Sequence, residues 1–166
     1  MAEKDKITTQ KLKYKGTFDY SEVYKFMYDW LVEGEYVVEE QKYDEAILGD
    51  SKDVKITWMA EKKISDYFKN EIKLDFKILG LKDVEVEKEG KRIKINKGGF
   101  EVKIVGNLTK DWESTWENNP MMKFFRGIYD KYIIEGTIKE YSEVLVEDIE
   151  ELIEETKAFL TISAKK

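Results

Sequence analysis

The sequence predicts an α+β fold: a curved antiparallel β-meander of about seven strands packed on a long C-terminal helix, with an additional helix before the terminal one. Three observations carry this. Between Val54 and Lys110 apolar and charged residues alternate almost throughout; Ile72, Leu74, Phe76 and Ile78 interleave with Glu71, Lys73, Asp75 and Lys77. Successive side chains of a strand point to opposite faces, so the alternation sets an apolar face against a charged one. Turn signals at Leu79-Gly80, Glu89-Gly90 and Gly98-Gly99 cut the stretch into short strands. Beyond Tyr141 the apolar period becomes helical, which supplies a cover for the oily face.

The elements follow in order. Residues 1–10 are polar and read as a loose N-terminal tail; residues 11–166 read as a single domain, with no linker or repeat. Lys11 to Thr17 is a first strand, with Leu12 and Tyr14 as its apolar members. Asp19 and Glu22 have the spacing of a capping box, and Val23, Phe26, Met27, Trp30 and Leu31 form one helical stripe that stops at Gly34. Tyr36 to Leu48 is a strand with Val38 and Ile47 inward, followed by a turn at Gly49-Asp50-Ser51. Val54, Ile56 and Trp58 share a face of the next strand, and Tyr67 to Leu79 is the most regular strand. Val84 and Val86 are expected opposite Ile93 and Ile95 across a hairpin. Asn96-Lys97-Gly98-Gly99 reads as a further hairpin turn; it lacks the pattern of a phosphate-binding loop. Phe100, Val102 and Ile104 face inward on the last strand, and Gly106 marks a bulge.

After an aromatic, acidic loop from Asp111 to Glu117, Asn119 and Pro120 have the character of a helix N-cap and first helical residue. Met121, Phe124, Phe125, Ile128 and Tyr132 keep helical spacing to Gly136, and Met122, Tyr129, Ile133 and Ile134 widen the apolar side. Thr137 and Glu140 then read as the capping box of the terminal helix, which runs to about Ile162.

Composition excludes several kinds of chemistry. The chain of 166 residues has no cysteine and no histidine. A Cys/His zinc site, a Cys nucleophile, a Ser-His-Asp triad and a His-held haem are therefore all ruled out, and no cofactor is expected. Net charge is −6 and only Arg92 and Arg126 are arginines, which argues against nucleic acid as a partner. The Lys/Glu/Ile-rich, Arg-poor usage is shared by many heat-adapted proteins and by AT-rich genomes. The charged N-terminus is no signal peptide, and no apolar run approaches the ~20 residues of a membrane span. A cytoplasmic protein is the expectation.

The order of elements resembles the helix-grip fold of the START and Bet v 1-like superfamily. The matching segments are KLKYKGTF, DYSEVYKFMYDWLVEG, the meander, and KEYSEVLVEDIEELIEETKAFL, so the likeness spans about Leu12 to Ile162. It differs in having one longer helix after the first strand and an extra helix over 119–134. The resemblance implies a hydrophobic cavity between sheet and terminal helix that holds a lipid, sterol or other apolar small molecule.

Candidate binding residues follow. Trp58 and Phe76 share the inner sheet face and could line such a cavity; packing as ordinary core is the plainer alternative. Trp112, Met121, Phe125 and Tyr129 lie in an aromatic segment beside Lys123, Arg126 and Lys131. Three uses fit that composition: core closing the open end of the sheet, a patch for a partner or a second copy through Met121, Phe124, Phe125 and Tyr129, or a lid over an apolar pocket or a membrane-surface helix, the last disfavoured by too few basic residues on its polar face. The acids of the terminal helix, Glu143 to Glu155, read as a solvated face, because they lack the spacing of a calcium loop. Asp66, Asp75 and Asp111 fall near strand faces or ends, but no catalytic carboxylate pair stands out. The leading expectation is a non-enzymatic protein that binds an apolar small molecule or lipid; the alternative is an assembly protein that self-associates through the helix over 119–134.

Overall fold

The structure, a computed structural model, describes residues 3–65, 67–110, 120–132 and 134–165. The described chain runs β1 (Glu3–Phe18), α1 (Tyr20–Glu33), β2 (Val37–Leu48), β3 (Ser51–Lys63), β4 (Phe68–Lys88), β5 (Lys91–Lys110), α2 (Pro120–Tyr132) and α3 (Ile134–Lys165). The fold is α+β. Its strands form one five-stranded antiparallel sheet in the order β1-β5-β4-β3-β2, not the seven strands expected.

The difference has a physical cause at two glycine sites. Leu79 pairs with Gly99 and Lys82 with Lys97, so β4 and β5 stay paired through the places where turns were expected, with a bulge between Leu79 and Lys82. Gly80 takes a left-handed φ of 61°, and its N–H donates to Asp53 Oδ1 at 2.9 Å. Across the ladder, a Cβ on Gly98 would lie 2.9 Å from the Leu79 carbonyl oxygen, so the backbones approach as only glycine allows. Both sites bend a continuous ribbon. The expected hairpin beyond them is present, with Val84 opposite Ile95 and Val86 opposite Ile93.

Three further expectations change. Residues 3–10 are not a loose tail: Glu3 pairs with Lys110 and Gln10 with Ile104. A register shift between Lys6 and Thr8 lets Ile7 pack on the core, while Lys4 reaches Glu71 and Lys110 reaches Asp5. Ile47 is exposed near the end of the edge strand β2. Finally, α3 begins at Ile134, so Gly136, Thr137 and Glu140 lie inside it.

α1 begins as its residues suggest, with Asp19 Oδ1 accepting from the Glu22 N–H at 3.1 Å. Its end is a Schellman turn. The Tyr36 N–H donates to the Leu31 carbonyl at 2.9 Å and the Glu35 N–H to Val32 at 3.0 Å. Tyr36 and Leu31 are both buried there. The left-handed residue is Glu35, not Gly34.

Both α1 and α3 cover the inner face of the sheet. Val23, Met27 and Leu31 of α1 and Leu145, Ile149 and Leu152 of α3 share one core with Trp58, Leu74, Phe76 and Val102. Phe26 and Phe159 stack at 4.7 Å where the two helices meet. Gly106 sets the approach of α3: a Cβ there would lie 2.5 Å from Ile149 Cδ1 and 3.3 Å from Leu145. The β-bulge expected at Gly106 falls instead in β1, whose Thr8 is its partner.

Candidate functional site

Trp58 and Phe76 lie side by side on the inner face, as alternation requires, and both are buried. They belong to an unbroken file of edge-to-face rings. Tyr14 meets Phe18, Phe18 meets Phe100, Phe100 meets Phe76, Phe76 meets Trp58 at 4.8 Å, Trp58 meets Tyr24 at 4.9 Å, and Tyr24 meets Tyr20. Edge-to-face packing suits the charge distribution of aromatic rings and fills space efficiently. These side chains occupy the middle of the inner face where the expected cavity would lie.

The file ends in a polar cluster between α1 and β2. Glu40 Oε1 accepts from Tyr24 Oη at 3.0 Å and from Trp58 Nε1 at 3.5 Å. Tyr43 donates to Glu45 at 3.0 Å, which leaves Tyr20 to donate to Tyr43 at 2.9 Å; Lys52 completes the chain at 3.1 Å from Glu45. Burial, aided by the bond to Tyr43, raises the Tyr20 phenol well above its ordinary value. Burial and the bond to Glu40 push Tyr24 up to about 12. The Lys52 ammonium and the Tyr43 hydroxyl hold Glu45 below the usual carboxylate range. The phenols thus stay protonated as hydrogen-bond donors, which suits a structural clasp on the edge strand and does not poise a base near neutrality.

A polar group that is buried, unlike this cluster, sits on the outer face. Glu71 bridges Lys4 at 2.6 Å and Lys69 at 3.2 Å. Burial pushes its carboxyl up, but the two ammonium groups outweigh this and hold it below the ordinary value. Asp75 accepts from Thr57 at 2.9 Å, while Asp66 and Asp111 lie outside the described residues. Among the described residues no group of three or more acids could hold a metal ion, and no helix is long and apolar enough to cross a membrane.

The aromatic segment behaves differently from the core. Met121, Phe124, Phe125 and Ile128 of α2 are 39% to 67% exposed. Their spacing of i, i+3, i+4 and i+7 makes one stripe, and that stripe faces solvent. Phe124 and Phe125 meet edge to face at 6.0 Å, and α3 begins two residues after α2 ends. Tyr129 shares the helix backbone, but its side chain, like all of Trp112, lies outside the described residues. The candidate residues therefore divide into two places: Trp58 and Phe76 in the core, Met121 and Phe125 on an exposed helix. The clasp of Tyr20, Tyr24, Glu40, Tyr43 and Glu45 was missed by sequence reasoning. Its signal is the spacing of Tyr20, Tyr24 and Tyr28 at i, i+4 and i+8, one polar-tipped file on α1, beside the glutamates of β2.

No family model, curated protein or solved structure matches this chain. The likeness to the helix-grip fold consequently rests on element order.

Proposed function

We propose that this is a non-enzymatic binding protein whose binding element is α2 and whose partner is a second copy of the chain. The observation that carries the reading is the solvent-facing stripe of Met121, Phe124, Phe125 and Ile128. A helix that turns large apolar side chains to water is stabilised by anything apolar that covers them. Charge favours a second copy as that cover. The α2 segment carries Lys123, Arg126 and Lys131 against Asp130 alone. Glu143, Glu147, Glu150 and Glu151 of α3 are exposed, with exposed Val144 among them. In a two-fold pair, α2 of each copy can lie on α3 of the other, so both contacts form at once. The absence of histidine and cysteine supports a non-enzymatic role.

Light scattering across a concentration series tests this. The wild-type chain is expected to be a dimer, and Phe124→Glu to weaken association by roughly 30-fold, the effect of losing one central anchor. A wild-type chain that stays monomeric at the highest concentration reachable refutes the reading.

One observation favours a second reading, a carrier of an apolar small molecule or lipid. The terminal helix packs on the inner face of an antiparallel sheet, which is what the resemblance to a helix-grip protein implies. With Trp58 and Phe76 filling the middle, the ligand would sit near the end of the sheet. There Tyr67, Phe68 and Leu108 form a separate apolar cluster with Ile138 and Tyr141. Native mass spectrometry of gently purified protein would find added mass on this reading and the bare chain mass if it is wrong.

A further inference from the structure

The outer face of the sheet carries a file of lysines, one from each strand: Lys11 of β1, Lys103 of β5, Lys77 of β4, Lys55 of β3 and Lys42 of β2. Lys11 stands directly opposite Lys103, and Lys55 directly opposite Lys77. The partner of Lys103 is Asp75, two residues before Lys77, so the two pairs adjoin diagonally. Lys42, opposite Thr57, adjoins Lys55 in the same way. All five line one depression of about 400 Å³, together with Thr57 and two carboxylates, Asp75 and Glu101. Asp75 is already engaged by Thr57. Lys42 bridges Asp44 at 3.3 Å, whereas Lys11, Lys55, Lys77 and Lys103 form no ion pair among the described residues.

Like charges directly opposite each other weaken a sheet, and lysine is a poor strand former. The file puts two such pairs side by side in a chain whose net charge is −6. Asp75 and Glu101 stand opposite Lys103 and Lys77 on the neighbouring strand and offset part of this; an anion laid along the file would relieve the rest. Neighbouring strands are ~4.8 Å apart, so five strands span about 19 Å, which suits a row of charges better than a single one. The two rows through the depression are Lys11, Lys103, Asp75, Thr57, Lys42 and Lys13, Glu101, Lys77, Lys55, Asp44. Neither row offers an aromatic ring on which a base could stack or an arginine to read its edge, as nucleic-acid surfaces do.

We propose that this face binds a linear oligophosphate, recognised through its charge and held by the lysine file. The site uses no residue of α2 and stands or falls apart from self-association. Calorimetric titration of the full chain with sodium tripolyphosphate tests it. Saturable binding is expected at low salt and steep weakening as salt rises. The double variant Lys55→Gln/Lys77→Gln should lose roughly tenfold or more in affinity, while Lys91→Gln/Lys94→Gln, at the β4–β5 hairpin, stays within about twofold. Without ligand, Lys55→Gln/Lys77→Gln should melt close to wild type, because the repulsion it removes is offset by the attraction lost to Glu101 and Asp44, so lost binding is not lost folding. Phe124→Glu should bind as wild type does. The proposal is overturned by no saturable binding at low salt, by equal losses in both lysine pairs, by loss of binding in Phe124→Glu, or by an oligothymidylate that binds as tightly per phosphate as tripolyphosphate.

Discussion

Glu35 holds a left-handed backbone, with φ of 69°, at the residue that closes the Schellman turn of α1. A side chain with a Cβ costs about 1–2 kcal/mol in that conformation, and glycine removes most of the cost while loosening the unfolded chain. Glu35→Gly should therefore stabilise the protein by roughly 0.5–1 kcal/mol, read as a higher urea midpoint at unchanged slope. Glu71 acts in the opposite sense. Its folded pKa lies below the unfolded one, so its contribution is complete above about pH 4.3 and fades as pH falls through the folded value. Glu71→Gln should cost roughly 1–3 kcal/mol at pH 7, and its stability should fall less steeply than wild type in acid. Tyr24 contributes on the alkaline side, together with Tyr20 and Tyr36. Its folded pKa of about 12 exceeds the ordinary value of 10.0, so stability is full below the ordinary value and is lost as pH rises through the folded one. Tyr24→Phe should soften that alkaline loss in a pH series of thermal melts.

Packing between elements turns on Gly106. The sequence marks it as a glycine within an apolar strand, which fits a bulge as well as a close approach by another element. The structure shows the second: α3 presses Ile149 and Leu145 against it. Gly106→Val should cost roughly 1–3 kcal/mol through overpacking, and shortening the facing side chain in Gly106→Val/Ile149→Val should recover part of the cost. Costs that simply add would mean the two positions are not in contact. Similar ambiguity explains the strand count. Alternation made β3, β4 and β5 legible, including the hairpin that sets Val84 and Val86 opposite Ile93 and Ile95; the register itself comes from the structure. Gly80 and Gly98-Gly99 carry the same local signal in a bend as in a turn; only the continued pairing of Leu79 with Gly99 tells them apart. α1 follows its local signals, Asp19 and the Val23–Leu31 stripe. The start of α3 does not, because the glycine and threonine that mark a boundary in the sequence are tolerated within a helix of 32 residues anchored by its later turns.

For the molecule as a whole, apolar surface and charge are both unevenly shared. The inner face is filled by rings, α2 leaves a stripe of them in water, the outer sheet face gathers lysines, and α3 exposes glutamates. Two placements were legible: Trp58 and Phe76 had to share a face, and the segment from Met121 held more apolar surface than a core stripe uses. Whether two inward rings line a void or fill it depends on side chains from four other elements, which no local pattern records. The lysine file was hidden for a related reason, since its members lie 11 to 103 in the chain and meet only through strand order.

Amide hydrogen exchange of α2 against protein concentration tests the central claim most directly. If copies associate through this helix, the amides of α2 after Pro120 that exchange quickly in dilute solution should slow markedly as the protein is concentrated, and not in Phe124→Glu. Exchange in α2 that is independent of concentration, with protection gained elsewhere or nowhere, would contradict the account.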